Sequence, residues 1–261
     1  MLTRAQIQRL AQRHRIGMQV QERDYIQHLL LLALANRSQG LVFKGGTALR
    51  LIYRGNRFSE DLDFSIAPGA HALVSVAHLR GFWLQIVDDL SDFGVQAEVC
   101  NEWESEASYS LDVSYQGPLY DGRDRSKGKV RVDVSRRLEA IETRRELVRS
   151  EYDDVRPFVA LVLTPEHLLA EKVRALIVRS KPRDLYDVWL LLNQGVTLER
   201  RIVEQKLSLY DLTLTPTALD AALTQAAADW DRDLQALLPQ YVPAELALSG
   251  IGALRGLVAA E

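Results

Sequence analysis

Cysteine is almost absent from this sequence. Cys100 is the only one in 261 residues, which excludes a disulfide framework and a cysteine-based zinc site. Long apolar runs are missing too. The longest, Leu29 to Ala35, has seven residues, against the ~20 that a membrane-spanning helix requires. No charged-then-apolar leader with a small-residue cleavage site opens the chain, so a cytoplasmic protein is expected. There is no surplus of positive charge: 32 Lys and Arg stand against 35 Asp and Glu, a net charge of −3. Proteins that coat nucleic acid without specificity are usually basic overall. Contact with nucleic acid would therefore have to come from local patches. Arg4, Arg9, Arg13 and Arg15, ahead of the first acid Glu22, are one such patch, although a run of this kind reads first as a solvated helix face. The five histidines lack the spacing of a metal cluster.

What is present is an ordinary globular composition, 47% hydrophobic and 26% charged, enough for one large domain or two modest ones. Residues 2–13 and 25–35 have helical apolar spacing. Leu41-Val42-Phe43 leads into Lys44-Gly45-Gly46-Thr47, after which Ala48, Leu49, Leu51 and Ile52 continue a helix toward Gly55. The period then switches to two. Asp61-Leu62-Asp63-Phe64-Ser65-Ile66 alternates strictly and predicts a half-buried strand. Residues 71–92 are helical, 108–115 alternate as a strand, 121–127 form a polar loop, and 129–135 alternate again with Val130, Val132 and Val134 on one side. Thr164-Pro165-Glu166 predicts a helix start with a hydroxyl cap. A further helix runs over 184–193 with Gly195 as its stop. The expected division is a mixed α/β part over 1–155 and a helical part over 156–261.

Asp61 and Asp63, two residues apart in a strand, project from the same face. Adjacent carboxylates repel unless a cation lies between them, and a hard, all-oxygen site suits Mg²⁺ (or Mn²⁺). Asp133, on the polar face of another strand, could supply the third carboxylate of a two-metal site. Gly45, Gly46 and Thr47 open a helix, where free backbone N–H groups can bind phosphate. The same residues would also make an ordinary tight turn and cap.

A Gly-Gly-Thr turn followed after 13 residues (48 to 60) by Asp-x-Asp resembles the signature of the polymerase-β-like nucleotidyltransferases. Phe43-Lys44-Gly45-Gly46-Thr47-Ala48-Leu49, with Arg57-Phe58-Ser59-Glu60-Asp61-Leu62-Asp63-Phe64, is similar to one branch, the AbiEii/AbiGii-type toxins. Gln21-Glu22-Arg23-Asp24-Tyr25, Glu171-Lys172 and Arg183-Asp184-Leu185-Tyr186-Asp187 agree with it.

The resemblance implies an α/β fold: a nucleotidyltransferase core with a mixed sheet, N-terminal helices and a helical C-terminal domain. It implies Asp61 and Asp63 as metal ligands, Gly45, Gly46 and Thr47 at the triphosphate and Lys172 as a phosphate-neutralising cation. Asp133, from its strand face, is the candidate third metal ligand, and Lys44 a further candidate at the nucleotide. Asp184 would be a further catalytic acid, with Asp187, one turn on, as its rival. It implies an NTP substrate, an RNA acceptor such as the tRNA 3′ end, a block on translation and a cognate antitoxin. An antibiotic acceptor, or phosphoryl transfer to protein, would use the same core.

Overall fold

The computed structural model describes residues 1–37 and 40–259 and divides into two compact units. The first, residues 1–54 and 58–163, contains α1 (Arg4–His14), α2 (Met18–Arg37), β1 (Leu41–Lys44), α3 (Gly45–Leu51), β2 (Asp61–Ile66), α4 (Val76–Asp88), β3 (Gln96–Glu104), β4 (Ser108–Gln116), β5 (Gly128–Ser135), β6 (Thr143–Val148) and β7 (Phe158–Leu163). The second, residues 55–57 and 164–261, is helical: α5 (Pro165–Arg179), α6 (Pro182–Asn193), α7 (Arg200–Ser208), α8 (Pro216–Ala228), α9 (Trp230–Leu234), α10 (Ala244–Ser249) and α11 (Gly252–Ala259). The first unit thus ends at Leu163 rather than 155, because β7 is hydrogen-bonded into its sheet.

Among the described residues the strands form one seven-stranded sheet in the order β3-β4-β5-β2-β1-β7-β6. It is mixed: β1–β7 and β2–β5 are parallel, the other pairs antiparallel. The alternation read at β2 and β5 is observed. Leu62, Phe64, Val130, Val132 and Val134 are buried on the face covered by α2 and α4, and the Phe64 ring lies 5.5 Å from that of Trp83 on α4. The acids alternate to the other face.

Helix α1 begins with a capping box in which the Thr3 hydroxyl accepts from the Gln6 N–H. Two of its basic residues are tied down, Arg13 to Glu151 at 2.7 Å and Arg4 to the Leu119 carbonyl at 3.4 Å, while Arg9 stays exposed as on a solvated helix face. In the helical unit α5 starts at Pro165 as expected, but the Thr164 hydroxyl makes no cap bond and is buried without a partner. Gly195, at φ +79°, follows α6 in the left-handed conformation that ends helices. No helix among the described residues is long and apolar enough to cross a membrane.

Glu22 illustrates how α2 is tied to the sheet. Its carboxylate is buried and accepts from the Leu119 N–H at 2.6 Å. Burial pushes its pKa above the ordinary glutamate value despite that bond and nearby Arg4. A raised carboxyl pKa makes the ionised form a burden on the fold above that value, and none when both states are protonated. Glu22→Gln keeps an oxygen for Leu119. It is expected to melt at a higher temperature than the wild type at pH 7, with the gap closing as the pH falls through the ordinary glutamate range. Thermal scans across pH check this.

Candidate active site

The glycine turn and the acids converge through the sheet's register. Asp63 lies opposite Lys44 of β1 on one side and opposite Asp133 of β5 on the other. Directly paired residues share a face, so Lys44, Asp63 and Asp133 form one row, with Asp61 a step along β2 on the same side. Asp61, Asp63 and Asp133 are all half-buried. Like charges directly opposite one another are destabilising, so the fold holds Asp63 and Asp133 together against their repulsion.

Gly45 explains how the turn meets the acids. Its φ is +75°, and a Cβ there would lie 1.9 Å from Asp63 Oδ2. Both the left-handed backbone and the contact require glycine. Thr47 is fully buried, and its hydroxyl donates to the Asp61 carbonyl at 2.6 Å. That side chain clamps α3 to the acid-bearing strand, so what Thr47 has left to offer a phosphate is its backbone N–H.

Asp133 is already partnered. The Ser110 hydroxyl on β4 donates to Oδ1, and Arg131 Nε lies 3.3 and 3.4 Å from its two oxygens. Ser110 and Arg131 escaped the sequence reading; the signal was the all-polar face of β4 and the Lys129-Arg131-Asp133 alternation. Among the described residues, no group of three or more His, Cys, Asp or Glu is arranged to hold a metal ion. Asp61 and Asp63 are nevertheless hard oxygen donors on one strand face, against a turn that admits only hydrogen at Gly45. Mg²⁺ takes one or two carboxylates and completes its shell with water and phosphate, so this donor set fits such an ion.

The stretch Gln21–Tyr25 supports the turn from behind. Asp24 is buried and accepts from Arg50 of α3 at 2.8 and 3.2 Å and from the Tyr152 hydroxyl at 2.6 Å. Burial alone would raise its pKa, but Arg50 and then His28 outweigh it and hold the carboxyl below its ordinary value. The Arg50 guanidinium also lies 3.5 Å from the Phe58 ring centroid. Asp24 therefore anchors the helix that carries Gly45.

Lys172, Asp184 and Asp187 belong to the helical unit. Lys172 Nζ is 2.7 Å from Asp187 Oδ2, and Arg57 reaches the same carboxylate with Nε at 3.1 Å and Nη2 at 2.9 Å. All three are buried. Burial would push the Asp187 pKa up, but Arg57 and then Lys172 outweigh it and hold it down. Asp184, also buried, is bound instead by Arg179 at 2.7 and 2.8 Å. The neighbour of Lys172, Glu171, pairs with Lys206 at 3.2 Å. Asp187, not Asp184, is thus the acid that touches Lys172. Arg57 stands in the stretch that carries the family resemblance, but no local pattern marks it as the partner of an acid 130 residues away.

A mixed sheet that carries an acid row beside a glycine turn is the arrangement expected of a nucleotidyltransferase. The family model for the nucleotidyl transferase AbiEii toxin of type IV toxin–antitoxin systems matches residues 29–249, and the chain belongs to that family. A cognate antitoxin is implied by the membership. Among solved structures, MenT4, a nucleotidyltransferase toxin of Mycobacterium tuberculosis, is 19% identical with a TM-score of 0.66, covering 100% of this chain and 91% of its own. The JHP933 protein of Helicobacter pylori is 20% identical with a TM-score of 0.63, covering 94% of both chains. At that identity the likeness is one of fold. No curated protein matches the chain.

Proposed function

We propose that this toxin transfers a nucleoside monophosphate from an NTP to the 3′ end of an RNA, with tRNA as the acceptor, and so blocks translation. The observation that carries the chemistry is the acid row, in which Asp63 stands in register with Asp133 and against Gly45.

In this reading the acceptor hydroxyl attacks the α-phosphorus in line, a new O–P bond forms, and the bond to the bridging oxygen breaks to release pyrophosphate. Asp61 and Asp63 would hold Mg²⁺ or Mn²⁺ beside Asp133, and the bound ion neutralises charge on the triphosphate and the reacting oxygens. Asp133, oriented by Ser110 and Arg131, takes the hydroxyl proton. The Gly45–Thr47 backbone and Lys44 bind the triphosphate, while Asp24 and Arg50 keep that turn in place. Lys172 takes the phosphate-neutralising role that the family resemblance gives it, with Asp187 as its positioning residue and Asp184 as a support of α6.

The test is an incubation of the purified protein with total tRNA, Mg²⁺ and each α-labelled NTP, beside Asp61→Ala. Label entering tRNA with the wild type alone is expected. No label from any nucleotide would overturn the RNA acceptor and favour a small hydroxylated drug. Label from γ-labelled ATP on protein would replace the reaction by phosphoryl transfer.

A further inference from the structure

The acid face extends beyond the carboxylates toward the β3 edge of the sheet. On β3 the register slips: Cys100 pairs with Asp112, but the next partners are Trp103 and Ser110. Three steps on β3 thus match two on β4, a bulge that reverses which face each later residue takes. Asn101 sits in it at φ 49° and donates from Nδ2 to Asp112 Oδ2 at 3.0 Å. Glu102 consequently turns to the helix-covered side, accepting from the Tyr109 hydroxyl at 2.6 Å and from Arg80 of α4. Trp103 turns to the other side and continues the row Lys44–Asp63–Asp133–Ser110.

There Trp103 is 45% exposed, with the Arg131 guanidinium 4.4 Å from its ring centroid. Lys129, one alternation further along β5, is exposed on the same face, and no ion pair involves it among the described residues. An exposed cation–π pair contributes little to stability, and the bulge turns a large apolar ring toward solvent. The fold gains little from this arrangement. An aromatic platform with alternating cations beside it is what unpaired nucleic acid recognises: bases stack on the ring and phosphates meet the cations. Lys129 also borders a cleft of about 580 Å³ whose wall mixes Arg4, Arg23 and Arg125 with Glu22 and Asp121.

We propose that Trp103, Arg131 and Lys129 seat the single-stranded 3′ end of the RNA acceptor, the indole stacking an unpaired base and the two cations meeting its phosphates. The inference rests on the RNA acceptor named above. Trp103 is two strand spacings from Asp133, about 10 Å, and Lys129 four residues, about 13 Å. At about 3.4 Å per stacked nucleotide, that is three to four nucleotides, the span of a polynucleotide end.

The test is anisotropy of a short labelled single-stranded RNA against the full chain, titrated with salt, for the wild type, Trp103→Ala, Trp103→Phe and Lys129→Ala, with melting curves to establish folding. Trp103→Ala is expected to weaken binding about five- to a hundredfold, with phenylalanine restoring most of it. Lys129→Ala is expected to lower the salt slope by about 0.7. Unchanged affinity in both alanine variants, or no binding by the wild type, overturns the seat. The transfer assay separates the two ideas. Label entering RNA with the same KM for RNA in Trp103→Ala overturns the seat and leaves the acceptor standing. Trp103-dependent binding without label overturns the acceptor, and with it the seat as an acceptor site, and leaves only single-stranded RNA binding at Trp103.

Discussion

Asp63→Ala is expected to lower nucleotide transfer by about a thousandfold or more while the protein still folds. Removing a charged group aimed at the reacting phosphates costs about two to three orders of magnitude in well-studied sites, and a carboxylate proposed to hold the ion should cost at least as much. Stability should change little, because the side chain is half-buried and its loss relieves repulsion with Asp133, its register partner. Gly45→Ala is a sharper companion. It keeps every carboxylate but drives a methyl group to 1.9 Å from Asp63 Oδ2 at φ +75°, so the acid must move. That variant should lose transfer comparably and also lose about 1–3 kcal/mol of stability from backbone strain. Labelled-NTP transfer together with thermal melting reads both effects. Wild-type transfer by Asp63→Ala would place the chemistry elsewhere.

The largest stability effect is expected at Asp187. Its carboxylate neutralises two buried cations, Arg57 and Lys172, and replacing it with alanine would leave both charges without it in a site that excludes water. Breaking a buried ion pair typically costs about 3–5 kcal/mol, so Asp187→Ala should shift the urea midpoint strongly or fail to fold. Asp184→Ala is the contrast. Its partner Arg179 has a side chain 45% exposed, so the released guanidinium can hydrate, and a cost near 1 kcal/mol is expected. Equal midpoints for the two variants would refute the distinction.

The pH dependence follows the same ion pairs. Because Arg57 and Lys172 hold the Asp187 pKa below its unfolded value, its contribution is complete above the ordinary aspartate range and is lost as the pH falls through the folded value. Asp187→Asn should therefore be weaker at pH 7 and show a flatter acid limb than the wild type.

Several of these features were legible in the sequence because they depend on neighbours along the chain. Alternation placed Asp61, Asp63 and Asp133 on strand faces opposite Leu62, Phe64 and the three valines. The glycines before Ala48 announced a turn into a helix. Other elements were not legible, each for a physical reason. In β3 the bulge at Asn101 breaks the period of two that would have revealed a strand. In β6 an edge position tolerates Arg144, Arg145 and Glu146, so the strand reads as a charged loop. In β7, Phe158 to Leu163 is a continuous apolar run without alternation, so no local pattern separates this strand from the helical unit that follows it at Thr164.

The choice between Asp184 and Asp187 likewise could not come from a helix in isolation. Both lie in the first turns of α6 and both are buried. Which one meets Lys172 depends on the rotation of α6 against α5 and on Arg57, which stands 130 residues earlier in the chain than Asp187. Local periodicity thus determined which residues face together on a strand or helix, since that depends on backbone geometry alone. Only the tertiary structure decided which faces meet: Asp63 with Asp133, Gly45 with Asp63, Asp187 with Lys172, and Trp103 with Arg131. Those pairings arise from strand register and helix packing between distant segments, which no local pattern encodes.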